Sequence, residues 1–321
     1  MRAMILAAGR GERLRPLTDA CAKPALPVLH ESLIVRVLKF LRREGVEHAV
    51  INLHHCPRSI RDALSESRAR AQSFPEVEFS EEETLLGTAG GLLKARAVFE
   101  KEELFLLANG DCIYDFSLRE AVARARRSTA AATLVCAPHR AEHTAVWRDT
   151  EGRVLAFGGD APAAQAHAST FAGVHILRPD VFLKIPADRP CGIVRDVYLP
   201  LLEKGARIEA LDAEGFWEEL GTPRRFLEAS RRFAGHLGKT LPLMHETASA
   251  DLSARLEGFV VLERGARADE ECFLENTIVL DDARVGRGAR LRDCLVAPGA
   301  SVEDGAEFRE KVLTSAGAAE L

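Results

Sequence analysis

Between Leu6 and Pro24 the chain sets two glycines and two cations around one short loop. The run is Leu6-Ala7-Ala8-Gly9-Arg10-Gly11-Glu12-Arg13-Leu14-Arg15-Pro16-Leu17-Thr18, followed by Ala22-Lys23-Pro24. Gly9 and Gly11 let the backbone come close to a phosphate and point N–H groups at it. Arg13 and Lys23 can neutralise a polyphosphate. The loop is not a Walker A loop, because no Gly-Lys-Ser/Thr follows. It is not a dinucleotide fingerprint either, since Leu14 stands where the third glycine belongs. For glycines and arginines alone, a tight strand-to-helix turn with surface cations is the ordinary alternative.

Two further blocks carry possible chemistry. Leu107-Ala108-Asn109-Gly110-Asp111 reads as a buried strand ending in an aspartate. A carboxylate there suits Mg²⁺, a hard cation that takes oxygen ligands and phosphate oxygens, although Asn-Gly is also a plain turn signal. Leu85-Leu86-Gly87-Thr88-Ala89-Gly90-Gly91 follows the acidic run Glu81–Glu83 and precedes a helix. Small residues before a helix N-terminus can wrap a base edge and ribose, or simply make a helix-entry turn. Glu83 could accept hydrogen bonds from the N1–H and amino group of guanine, a pairing uracil cannot offer. A solvated strand end is its other reading.

Together these blocks resemble the nucleotidyltransferase family that includes the sugar-1-phosphate guanylyl-, uridylyl-, thymidylyl- and adenylyltransferases. The resemblance runs over about residues 1–236. It implies a Rossmann-like fold with the NTP over the Gly9–Gly11 loop. Leu6, Ala8, Glu83, Gly87, Thr88, Ala89 and Asn109 would lie at the nucleotide, and Arg13 and Lys23 would stabilise charge in the transition state. Asn109, Gly158, Thr170, Gly173 and Asp196 fall at positions that meet the sugar in relatives; for Asp196 a helix cap is the alternative. In Gly215-Phe216-Trp217-Glu218-Glu219-Leu220-Gly221-Thr222-Pro223 the residue two after the tryptophan is usually aspartate, the second Mg²⁺ ligand. This chain has Glu219 there, with a longer arm; a carboxylate favoured by a helix dipole is its other reading. Phe157-Gly158-Gly159-Asp160 falls where many relatives carry Glu-Lys-Pro, so that lysine contact does not transfer.

The implied reaction is direct displacement by a sugar 1-phosphate at the α-phosphorus of an NTP, giving an NDP-sugar and pyrophosphate with Mg²⁺ on Asp111 and Glu219. The pattern is most like mannose-1-phosphate guanylyltransferases using GTP. A uridylyltransferase for a glucose-like or N-acetylmuramate 1-phosphate is the alternative. Glu219 and the missing lysine also leave open a non-catalytic NDP-sugar-binding regulator.

The elements that must position these residues alternate. Strands are expected at 3–8, 48–53, 77–80, 104–107 and 131–136, and helices at 32–44, 59–64, 90–99, 118–127 and 223–236. Such alternation predicts an α/β domain with a mainly parallel sheet and ligands at the carboxyl ends of its strands. Gly235, Gly238 and Pro242 mark the end of a catalytic domain at 1–238. Beyond it apolar residues recur six apart at Phe273, Val279, Val285 and Leu291, then after a slip of five at Val296, Val302 and Phe308. That period predicts a small hexapeptide-repeat parallel β-helix over 250–315, left-handed by the resemblance; ordinary hairpins are the alternative. It carries none of the named groups, so it is expected to serve self-association through its open strand edges rather than chemistry.

Composition narrows the setting. The 321 residues are 47% hydrophobic and 28% charged, with a net charge of −5, which argues against a dedicated nucleic-acid binder. Seven scattered cysteines without a CxxC pair fit reduced thiols in the cytoplasm. The short apolar opening reads as a strand and no stretch is long enough to span a bilayer. His54 and His55 lack metal-like partners, and Arg124, Arg126 and Arg127 read as a solvated helix face.

Overall fold

The computed structural model describes residues 1–69 and 73–321. The chain forms two compact units, one of residues 1–9 and 34–218, the other of residues 10–33 and 219–321.

The first unit is built on a nine-stranded sheet: β1 (Arg2–Leu6), β2 (His48–Leu53), β3 (Glu76–Glu81), β4 (Phe105–Asn109), β5 (Ala132–Pro138), β6 (Ala145–Arg148), β7 (Val154–Phe157), β8 (His167–Leu177) and β9 (Ile208–Asp212). β1 and β4 are near-continuous apolar runs with buried centres, the pattern of parallel strands covered on both faces. Between them the chain makes α1 (Leu33–Arg43), α2 (Pro57–Ala69), α3 (Gly87–Lys94) and α4 (Arg96–Phe99). α1 buries Leu33, Val37, Leu38 and Leu41 at helical spacing. The strand at 48–53 falls on its expected bounds; the short helix expected at 59–64 extends to 57–69, and the one expected at 90–99 is two helices broken at Ala95.

The parallel heart of the sheet runs β3-β2-β1-β4. Successive strands step one way from β1 to β3, and the next lands on the other side of β1. β1 and β4 therefore flank a topological switch point, the place where open α/β sheets bind ligands. Beyond β4 lies an antiparallel flank that the strand pattern did not announce. β8 pairs antiparallel with β4, β5 and β6, while β5 and β9 are parallel. β8 can reach three partners because its register shifts between Phe171 and Val174, a bulge that bends the strand. Arg124, in α5 (Arg119–Arg127), is not merely solvated: it donates to the buried Glu209 at 3.0 Å.

In the second unit the helix expected at 223–236 has those bounds. Thr222 Oγ1 accepts from Arg225 N at 3.3 Å and Pro223 opens the first turn. From Leu243 onward the chain forms three ladders of short parallel strands, a three-faced parallel β-helix. Val261 pairs with Ile278, Ile278 with Leu295 and Leu295 with Val312, a coil of 17 residues. Each such coil has two six-residue faces and one of five. The recurrent five-residue face corrects one register position: the inward residue is Leu274, fully buried, not Phe273. Phe273 is partly exposed with the Arg292 guanidinium 5.3 Å from its ring centroid. The buried row reads Leu262, Ala268, Leu274, Val279, Val285, Leu291, Val296 and Val302. The strand arrangement is consistent with a left-handed β-helix. Among the described residues no helix is long and apolar enough to cross a membrane.

Candidate functional site

At the switch point the first unit opens a cavity of about 630 Å³. Leu6 and Asn109, register partners at the carboxyl ends of β1 and β4, form its floor. Leu85, Gly87 and Thr88 contribute from the entry to α3, Phe171 and His175 from β8, and residues 190–195 from a loop and the first turn of the helical segment that runs on into Leu199–Glu203.

A buried amide–carboxylate pair ties the loop after β1 to the loop before α3. Asn52 Oδ1 accepts from Ala7 N at 2.7 Å, and Asn52 Nδ2 donates to Glu82 Oε1 at 2.7 Å. Glu82 Oε2 accepts from Leu86 N at 2.9 Å. A side chain at Gly91 would meet Glu82 Oε1 at 2.6 Å, so the glycine makes room for this link. Within the acidic run, Glu82 is the buried carboxylate; Glu83 is exposed and does not line the cavity. Residue types could not distinguish the two, because three consecutive glutamates carry no apolar neighbour to set the phase.

The small-residue block at α3 grips the opposite wall. Ala89 N and Gly90 N donate to Cys191 O at 3.0 and 3.3 Å, Cys191 N donates to Leu86 O at 2.9 Å, and Thr88 Oγ1 accepts from Ile193 N at 2.8 Å. Two N–H groups of this helix's first turn, those of Ala89 and Gly90, are therefore engaged by a protein carbonyl, and Ala89 is fully buried. Gly87 has φ +77°, and a Cβ there would sit 2.5 Å from Cys191 O. Gly9 is the contrast: no atom lies within 4 Å of where its Cβ would be, so packing does not require glycine there. Gly9→Ala is expected to keep the wild-type melting temperature and lose NTP affinity, while Gly87→Ala loses stability; thermal unfolding and nucleotide titration check both. Unchanged affinity in Gly9→Ala would remove the close phosphate approach at Gly9.

Other anticipated positions separate. Asn109 lines the cavity, and its carbonyl accepts from Tyr114 Oη at 2.9 Å. Gly173 sits in the β8 bulge at φ +84°, where a Cβ would be 2.8 Å from Tyr114 Oη and 3.1 Å from Asn109 Nδ2. Thr170 is buried, its Oγ1 accepting from Arg140 N at 3.0 Å, and it does not line the cavity. Gly158 and Gly159 form a turn with both φ positive, likewise outside the lining. Asp196 accepts from Gly192 N at 2.7 Å, Arg195 Nη2 at 3.0 Å and Arg189 Nη2 at 2.9 Å. The bond from Arg195, then the Gly192 amide, hold its carboxyl far below the usual range. It orients the cavity residues Gly192 and Arg195 rather than lining the space itself. His175, which the pattern did not single out, lines the cavity with Nδ1 2.9 Å from Tyr198 Oη. Burial pushes its pKa down to about 3, so it is neutral at ordinary pH.

Comparison with known proteins bears on this arrangement. A family model described as Nucleotidyl transferase matches residues 2–235. The chain belongs to the nucleotidyl transferase family. Mannose-1-phosphate guanylyltransferase of Mycobacterium tuberculosis is 27% identical over 302 residues, covering 89% of this chain and 81% of that protein. UTP–glucose-1-phosphate uridylyltransferase of Synechocystis is 26% identical over 339 residues, covering 92% and 87%. Among solved structures, HddC from Yersinia pseudotuberculosis superposes with a TM-score of 0.61 at 19% identity, covering 72% of this chain and 99% of that one; this likeness shows the fold.

The nucleotidyltransferase's cationic segment belongs to the second unit. Gly11 has φ +63°; its carbonyl accepts from the buried Thr18 hydroxyl at 2.9 Å, and a Cβ there would meet Thr18 at 2.9 Å. Lys23 opens a short turn, Lys23–Ala25, and is only 7% exposed. Arg13 Nη2 lies 3.1 Å from Glu219 Oε1, and Arg225 Nη1 is 4.0 Å from Glu219 Oε2. Gly221 leaves space beside this pair, since a Cβ would be 3.1 Å from Glu219 Oε1. With Thr222 capping the helix, Glu219 is not its cap. In the first unit, Glu218 is buried and bonded to Arg140 Nη1 at 2.9 Å. Asp111, just past β4, is partly buried with Cys112 Sγ 3.6 Å from Oδ1. Among the described residues no group of three or more His, Cys, Asp or Glu is placed to hold a metal.

Proposed function

We propose that this nucleotidyltransferase joins a nucleoside triphosphate to a sugar 1-phosphate, releasing pyrophosphate, with GTP and mannose 1-phosphate as the substrates. The observation that carries the reading is the cavity at the switch point, floored by Leu6 and Asn109 and lined by Gly87 and Thr88 of the small-residue block. The preference for GTP and mannose rests on the guanylyltransferase relatives. With Glu83 outside the cavity lining, a carboxylate reader of guanine gains no support. The Synechocystis relative keeps UTP with a glucose-like 1-phosphate as the second reading.

In this mechanism the sugar phosphate is already an anionic nucleophile, so the protein's task is positioning and charge stabilisation. Asn109 orients the ribose or sugar, Gly9 and Gly11 admit the triphosphate, and Arg13 and Lys23 offset the charge that develops as pyrophosphate leaves. Members of this family generally use a divalent metal. Asp111 and Glu219 are hard oxygen donors of the kind Mg²⁺ takes and are the residues that would hold it. When bound, Mg²⁺ would supply Lewis-acid stabilisation of the reacting phosphates. Self-association through the β-helix belongs to the same reading, with solution mass as its measure.

A panel of four NTPs crossed with mannose, glucose and N-acetylmuramate 1-phosphates, read by pyrophosphate release, tests it. The highest kcat/KM is expected for GTP with mannose 1-phosphate. A maximum with UTP moves the protein to the second reading. Absence of turnover on every pair, with binding of an NDP-sugar, would make it a regulatory binder.

A further inference from the structure

Past Lys23 the chain forms a small hairpin in which Pro27 pairs with Ser32 and Val28 with Glu31, leaving Leu29-His30 as a two-residue turn. Both turn residues have positive φ, 50° and 71°. Such turns ordinarily take Asn-Gly or similar pairs, and a leucine in that region is uncommon. A turn of this kind persists when its surroundings hold it.

The holding group comes from the β-helix. Glu263, 1% exposed, accepts from His30 N at 3.2 Å through Oε1 and 2.9 Å through Oε2, and Oε2 lies 2.9 Å from His30 Nδ1. The ring of His245 stands edge-on to that of His30, with centroids 5.7 Å apart. Glu263 occupies a repeating corner of the coil. Its N–H donates to Val279 O as Leu280 N does to Val296 O and Ala297 N to Leu313 O in the next coils. Those later coils fill the corner with buried Leu280 and Ala297. The β-helix thus has no need of a carboxylate there, and burying one is costly unless its oxygens are bonded. What Glu263 bonds is the turn of the Lys23 segment.

We propose that Glu263 is a positioning residue: it fixes the Leu29-His30 turn, and the β-helix thereby holds Lys23 in place for phosphate transfer. The consequence for turnover rests on the function proposed above. The β-helix is then part of the catalytic apparatus, against the expectation that it serves assembly alone.

The test uses the full chain carrying Glu263→Leu, which installs the corner residue of the next coil, and Glu263→Gln, which keeps one acceptor. Hydrogen exchange of peptides covering residues 26–33 is expected to quicken roughly tenfold or more in Glu263→Leu with the rest of the β-helix unchanged. In the same variant kcat is expected to fall roughly tenfold or more, with Glu263→Gln restoring part of both. Should Glu263→Leu fail to fold, Glu263→Gln is read against the wild type in the same two assays. Unchanged exchange overturns the clamp. Faster exchange with unaltered kcat and KM overturns its part in positioning Lys23. A wild-type chain without turnover on the substrate panel sinks the functional reading but not the clamp, which the exchange data decide alone.

Discussion

Lys23→Met is expected to lower turnover by about 10²–10³-fold, the typical effect of removing one group that stabilises charge only in the transition state. Methionine keeps the stem volume at a site where lysine is only 7% exposed, so loss of charge is separated from loss of packing. Arg13→Ala is expected to act in the same range without cost to the fold, because the Arg13 side chain is 68% exposed and exposed ion pairs contribute less than about 1 kcal/mol. Steady-state pyrophosphate release, with melting temperature as the control, measures both. If both variants kept near-normal turnover at wild-type stability, the segment would not be the phosphate site.

The parallel heart of the sheet was legible because its strands are apolar on both faces and its helices carry clear periodicity. Hence β2 and the helix at 223–236 fell on their bounds, and a cavity opens at the carboxyl ends of β1 and β4, where the alternation placed ligands. The antiparallel flank was not legible: β6 and β7 are four-residue strands, too short to show alternation. The β-helix period was visible, and its phase held from Val279 to Val302 but not at Phe273. Phe273 and Val279 lie six apart by coincidence, while the structure counts five from Leu274. For the site, residue type pointed to the block around Gly87 but not to its partner. Cys191 O takes the amides of Ala89 and Gly90, and that contact joins segments about a hundred residues apart with no local signature. Glu82 over Glu83, and Glu263 over any other β-helix carboxylate, were hidden for the same reason: burial is a property of the fold, not of the residue.

Removing the carboxylate of Glu219 is expected to abolish most activity and to weaken its dependence on Mg²⁺ at the same time. Activity should vanish with chelator and return with added Mg²⁺. Glu219→Asp should remain active but impaired, with a higher Mg²⁺ requirement, because Mg²⁺ demands near-ideal octahedral geometry and the backbone here is set for the longer arm. The structure supplies a rival role, since Glu219 faces Arg13 at 3.1 Å and Arg225 at 4.0 Å and could serve only to aim Arg13. The energy of that pair does not decide the matter: with Arg13 so exposed it is worth less than about 1 kcal/mol, and a metal could displace it at little cost. A double-mutant cycle does decide. If Glu219 binds the metal, Glu219→Ala shifts the Mg²⁺ titration whether residue 13 is arginine or alanine, and the two losses multiply. If it only aims Arg13, Glu219→Ala costs nothing further once Arg13 is alanine, and the titration stays where it was. That second pattern would withdraw Glu219 from the metal site and leave Asp111 as the carboxylate on which metal binding rests.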